Sequence, residues 1–107
     1  MLVATSEHLK GREILETFGL VIGSTTRAQL VTEEVVSNIR KFIGGEAVEY
    51  TDGLALAREE AVQRMIKEAE ELKANAIVGM RFSITSVTPN VVEIVAYGTA
   101  VNVKESD

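Results

Sequence analysis

The chain opens on a short apolar run, Met1–Thr5, followed by a polar stretch from Ser6 to Arg12 that Gly11 breaks. The run suits an edge strand and the stretch a loop. From Ile14 to Thr25 apolar residues recur at period two. Phe18, Leu20 and Ile22 share one face, with Gly19 and Gly23 on the other. Glycine inside a strand marks a bulge or the close approach of another backbone, so Ile14–Thr25 is expected to be a bent strand. The rhythm then turns helical. Thr32 is a suitable N-cap for Thr32–Ile43, and Glu33 and Glu34 sit where the helix dipole favours anions. Val35, Ile39 and Phe42 or Ile43 recur at helical spacing, Arg40 and Lys41 occupy the last turn, and Gly44-Gly45 stops it.

A second, longer helix can be capped by Thr51 or Asp52. Leu54, Ala57, Ala61, Met65 and Leu72 lie along its stripe, widened by Val62, Ile66 and Ala69. Much of this stripe is alanine, which lets another backbone come close. The other face is charged, with Glu60 and Arg64 in the favourable i,i+4 order. Asn75 is an acceptable left-handed terminator. From Asn75 to Val87 the pattern alternates: Ala76, Val78, Met80, Phe82 and Ile84 on one side, Arg81, Ser83 and Thr85 on the other. Thr88-Pro89-Asn90 has turn chemistry, and Val91–Val103 places Val95, Tyr97, Val101 and Val103 on one side. The expected fold is a small α+β domain of order ββααββ. Its antiparallel sheet combines short N-terminal strands with a C-terminal hairpin, and two helices cover one face.

Composition narrows the function. At 107 residues the chain is one domain. Its 46% apolar content excludes a disordered chain. The absence of cysteine excludes a disulfide framework, a thiolate metal site, an iron–sulfur cluster and a cysteine nucleophile. A net charge of −5 argues against a nucleic-acid groove. No apolar run approaches a membrane span, and Met1–Lys10 lacks the order of a signal peptide, so the expected compartment is the cytoplasm.

Few residues could carry chemistry. His8 is the only histidine; Ser6 is two residues away, and the spacing supplies no acid to complete a triad. Glu59, Glu60, Glu68, Glu70 and Glu71 could offer oxygen ligands to a hard cation. Interleaved Arg58, Arg64, Lys67 and Lys73 instead write an exposed helix face. There is no GxGxxG and no GK[ST], and Gly44-Gly45 is a helix stop before it is an anion cradle. Arg58 lies beside the apolar stripe and Arg81 in the polar row of a strong strand, so each could meet a carboxylate inside the fold or across a subunit interface. Tyr50 could close a pocket with its ring and hydroxyl. The set of candidate acid–base groups is too small to support an enzyme.

Ile39-Arg40, Gly44-Gly45, Tyr50, Ala57-Arg58-Glu59-Glu60-Ala61, Met65, Ala74-Asn75-Ala76-Ile77-Val78-Gly79 and Gly98-Thr99-Ala100-Val101 together resemble the YbjQ family, in register over nearly the whole chain. That family carries the label of a heavy-metal-binding domain. The resemblance implies a dodecin-like α+β subunit assembled as a homo-oligomeric ring, typically a pentamer, by strands pairing between subunits. It places Arg40, Gly44, Gly45, Tyr50, Arg58, Glu59, Asn75, Arg81, Gly98 and Thr99 at an interface or at a small-ligand pocket between subunits. Lys73 stands where the family usually has glycine, and Thr32-Glu33 replaces an Arg-Asp pair. Soft metals prefer thiolate and thioether ligands; this chain has no cysteine, and Met65 and Met80 fall on apolar faces. The first expectation is therefore a non-catalytic ring-forming protein without a cofactor. The alternative is a metal binder using carboxylates and His8.

Overall fold

A computed structural model of the chain describes residues 1–28, 47–89 and 91–105, leaving aside the side chains of residues 27–28 and 47–54. Among the described residues are β1 (Leu2–Val3), β2 (Ile14–Ala28), α1 (Ala47–Glu71), β3 (Ala76–Thr88) and β4 (Val91–Val103). The strands form one sheet in the order β1-β3-β4-β2. β2 and β3 both run antiparallel to β4, but β1 lies parallel to β3. The sheet is thus mixed rather than antiparallel. The chain leaves β1 on one edge and enters β2 on the opposite edge running the same way, which a hairpin cannot do. The segment Thr32–Ile43, expected to be a helix, lies outside the described residues, so the expected order ββααββ is not supported.

α1 covers one face of the sheet. Ala57, Ala61, Met65 and Ala69 recur every fourth residue and are buried against Val21, Ile77, Ile94, Ala96 and Ala100. The alanines let the helix settle onto β2 until backbone meets backbone at Gly23. A Cβ built there would strike the Ala61 carbonyl oxygen and the Met65 nitrogen. Those two atoms are the acceptor and donor positions of one i→i+4 helical hydrogen bond. The close approach expected from Gly23 is therefore made by the helix itself.

Of four register shifts in the sheet, the last at Ser86/Thr88 beside the β3–β4 turn, three alter the faces read from alternation. Two fall early in β2, at Ile14/Glu16 and Thr17/Gly19, and Gly19 takes φ +103°. They place Phe18 against the helix-side core with Val21. Leu20 and Ile22 lie on the opposite face, 63% and 43% exposed. The expected grouping of Phe18 with Leu20 and Ile22 fails because one extra residue moves every later side chain to the other face. β3 repeats the effect between Val78 and Arg81, with Gly79 at φ +63°. Ala76 and Val78 belong to a second small core with Val101 and Val103, beneath Leu9 and Ile14. Beyond the bulge, Phe82 and Ile84 lie beside Ala96 and Ile94 on the helix side. β4 has no bulge of its own and alternates as expected.

The ends of α1 also differ from expectation. It begins at Ala47, a turn before Thr51. It ends at Glu71, and the left-handed residue is Lys73 (φ 68°), not Asn75. Ala74 N–H donates to Ala69 at 3.1 Å and Lys73 N–H to Glu70 at 3.0 Å, the two bonds of a Schellman stop. Leu72 falls past the last turn and is 40% exposed, so Ala69 completes the buried row in its place.

Gly23→Ala is expected to cost about 3 kcal/mol or more, because the new methyl meets helix backbone that no rotamer change can clear. Lys73→Gly is expected to add about 0.5–1 kcal/mol by removing the left-handed penalty of a side chain, net of glycine's entropy. Urea melts of the two variants against the parent check both signs.

Candidate functional site

Four of the sequence-predicted site residues lie along the β3–β4 pair and at the junction that leads into it from α1. Asn75 links α1 to β3, and its side chain behaves as an added piece of backbone. Nδ2 donates to the Val103 carbonyl at 2.9 Å, and Oδ1 accepts from the Val103 N–H at 2.8 Å. Its own N–H donates to Val101 O at 3.2 Å, and its carbonyl accepts from Leu2 N–H at 3.3 Å. One residue thus joins the helix end to β1 and β4. A shallow groove of about 400 Å³ opens here between Met1, Leu2, Arg12, Asn75 and Glu105. The Asn75 amide is committed to Val103.

Arg81 stands directly after the β3 bulge, in register with Tyr97. Its Nη1 donates to Thr5 O at 2.6 Å and to Met80 O at 2.8 Å. Gly98 lies across the same bulge on β4, where a Cβ would come within 2.6 Å of Ile77 Cγ2. Thr99 is half-buried between Leu20 and Val78. These four residues are spread along the β3–β4 pair: Asn75 bonds to Val103, Thr99 stands opposite Val78, and Arg81 stands opposite Tyr97.

The remaining candidates are elsewhere. Arg58 and Glu59 are exposed on α1, and Glu59 accepts from Gln63 Nε2 at 2.9 Å. The helix cation that reaches the sheet is Arg64, expected on the solvated face: its Nη1 donates to Ser24 O at 2.5 Å. The helix sits so low on Gly23 that Arg64, whose own backbone is part of that contact, reaches the carbonyl of the next β2 residue. Tyr50 is in the first turn of α1, with its side chain outside the described residues; Arg40, Gly44 and Gly45 also lie outside them. Sequence reasoning missed Arg64 and the amide role of Asn75. The signal for Asn75 was an amide residue set between two alanines at a helix-to-strand junction.

The donor chemistry does not suit a soft heavy metal. His8 is exposed and its carbonyl accepts from Ser6 Oγ at 2.7 Å. No group of three or more His, Cys, Asp or Glu residues converges among the described residues. The sequence has no thiolate, and Met65 is fully buried in the core. No described helix is long and apolar enough to cross a membrane.

Fold and donor set together define a small α+β domain in which, among the described residues, one helix packs on a four-stranded sheet and no group of three or more His, Cys, Asp or Glu converges. A family model for YbjQ proteins, described as "Putative heavy-metal-binding", matches residues 1–104, and the chain belongs to that family. It is 44% identical over 105 residues to a UPF0145 protein of Pseudothermotoga lettingae, covering 98% of this chain and 99% of the relative. It is 46% identical over 101 residues to one from Clostridium perfringens, covering 94% and 95%. A crystal structure of a DUF74-family protein of unknown function from Pediococcus pentosaceus shares the fold, with a TM-score of 0.66 at 18% identity over 97% of this chain and 98% of that one.

Asn75→Ala removes both side-chain bonds to a half-buried strand end and is expected to cost about 1–3 kcal/mol. Asn75→Asp keeps the shape but sets an oxygen against the Val103 carbonyl, so it is expected to cost at least as much. Thermal melts at neutral pH compare the two.

Proposed function

We propose that the chain is a non-catalytic cytoplasmic subunit of a closed homo-oligomeric ring, with any small-ligand pocket lying between subunits. The observation that carries this is the pair of sheet edges left without a further strand among the described residues, each with exposed apolar side chains. A ring subunit makes two contacts, one with each neighbour.

The fold offers two complementary edges for them. β2 has β4 on one side and no strand on the other among the described residues, along all 15 of its positions. β3 is met by β1 only at Ala76 and Ile77, and its far half has no further strand on that side among the described residues. Apolar side chains crowd both places: Leu20 on β2, and Phe82, Ile84 and Val87 on β3, are 63%, 41%, 61% and 58% exposed. Each subunit carries one edge of each kind, so β3 of one copy against β2 of the next repeats around a closed circle. The number five rests on the family resemblance.

Native mass spectrometry of untagged protein, with light scattering at micromolar concentration, tests assembly and metal content together. The expected result is one species at five times the 11.6 kDa subunit mass, carrying no stoichiometric metal. A subunit-mass species alone overturns the ring. Bound Zn²⁺ or Cd²⁺ lost in His8→Ala overturns the metal-free reading in favour of the family description.

A further inference from the structure

The N-terminal residues and the β3 bulge together end the sheet edge at a defined point. Gly79, at φ +63°, contributes the extra residue between Val78 and Arg81. The consecutive N–H groups of Gly79 and Met80 turn away to the edge, where Ser6 O and Ala4 O accept them at 2.8 and 3.0 Å. Ala4 N–H donates back to Ile77 O at 2.9 Å. Arg81 closes the arrangement, its Nη1 shared between Thr5 O at 2.6 Å and Met80 O at 2.8 Å. One residue further on, from Phe82 to Thr88, β3 carries no strand on that side among the described residues, and every side chain is exposed.

We infer that Leu2–Ser6, latched by Arg81, is a register stop: a β2 strand from a second copy can pair with β3 along Phe82–Thr88 and cannot slide toward Ala76. The inference rests on the ring proposed above and names the segment that takes the neighbour and the residue that fixes its alignment. A stop is needed because β2 is longer than the open part of β3, so the edges alone permit several registers. A slip of one residue would turn the apolar row of the incoming strand to the wrong face. Bulges and covered edges are the ordinary means of ending strand pairing. Here the bulge turns two donors to the edge and the N-terminal segment occupies them. Arg81 acts through Thr5 and is a positioning residue.

The test uses the full chain, which has no native cysteine. Arg81→Ala alters an exposed side chain and leaves the core intact. By hydrogen exchange, the Gly79 and Met80 amides are expected to exchange about tenfold faster or more in this variant, as the segment loses a charge-assisted bond. Ser83→Cys is then combined in turn with Leu20→Cys, Ile22→Cys, Ser24→Cys or Thr26→Cys, and disulfides between copies are mapped. With Arg81 present, one of the four β2 positions is expected to cross-link; in Arg81→Ala, two or more. Unchanged exchange at Gly79 and Met80 overturns the latch. The same single cross-link in both backgrounds overturns the stop while the ring stands. A ring in which none of the four cross-links overturns the choice of β2 as the partner strand. A monomer with Arg81 present overturns the ring itself, and the stop with it.

Discussion

The architecture depends on one contact, the backbone of α1 resting on Gly23 of β2. Where most helix–sheet packings are spaced by side chains, here the i→i+4 hydrogen bond between Ala61 and Met65 lies against a strand position with no Cβ. Alanines at 57, 61 and 69 permit the descent, and Met65 fills the remaining volume. Because the helix is drawn down onto β2, it lies over β2 and β4 and barely reaches β3. The helix-side residues of the outer half of β3, Phe82 and Ile84, are therefore left uncovered. The same closeness lets Arg64 reach the Ser24 carbonyl. A choice of small residues on one helix face thus determines which strand is left with open apolar surface.

Much of this was legible in the sequence, and the failures share a cause. Both long C-terminal strands, the turn between them, the long alanine-striped helix and the tight approach at Gly23 follow from period and residue type. What was lost was facing. Phe18-Gly19-Leu20 and Val78-Gly79-Met80 look like unbroken alternation, yet each glycine lies in a bulge that moves the next apolar residue across the sheet. Alternation counts residues, whereas the sheet counts hydrogen-bonded pairs, and the two differ by one at each bulge. Parallel pairing of β1 was hidden for another reason: a two-residue strand carries no periodicity from which to read its direction. The helix stop shows propensity overridden by tertiary structure. Asn75 is the better left-handed residue, but its amide is needed by Val103, and Lys73 takes the turn.

The roles of the candidate residues were not legible in the sequence. Asn75, Arg81, Gly98 and Thr99 lie at separate points along β3 and β4, and what they share is the management of backbone groups. Asn75 completes the ladder of β4, Gly98 makes room opposite the bulge, and Arg81 gathers two carbonyls. None of these tasks needs a titrating group or a metal ligand. A motif kept for edge geometry looks the same in a sequence as one kept for chemistry, since both call for Asn, Arg and Gly at fixed spacing. The exposed carboxylates of α1 point the same way: they are interleaved with cations along one helix and do not converge.

Two arginines on different elements, Arg64 on α1 and Arg81 on β3, both donate to main-chain carbonyls beside the edges of the sheet, at Ser24 and at Thr5. A guanidinium suits that work because it carries five fixed donors and cannot lose its charge near neutral pH. It also marks the edge with a large, hydrated group that an unrelated strand cannot displace without loss. In an acidic chain with only 11 cations, the one at Arg81 separates the part of the β3 edge that the N-terminal segment covers from the part left without a strand among the described residues. On β3 the closed part ends at Arg81 and the open part begins at Phe82, so polar restraint passes directly to apolar surface within one residue. Such a boundary limits pairing to one stretch of strand and so fixes a single geometry for any contact made there; the rotation in that geometry is what decides between a closed ring and an open fibre.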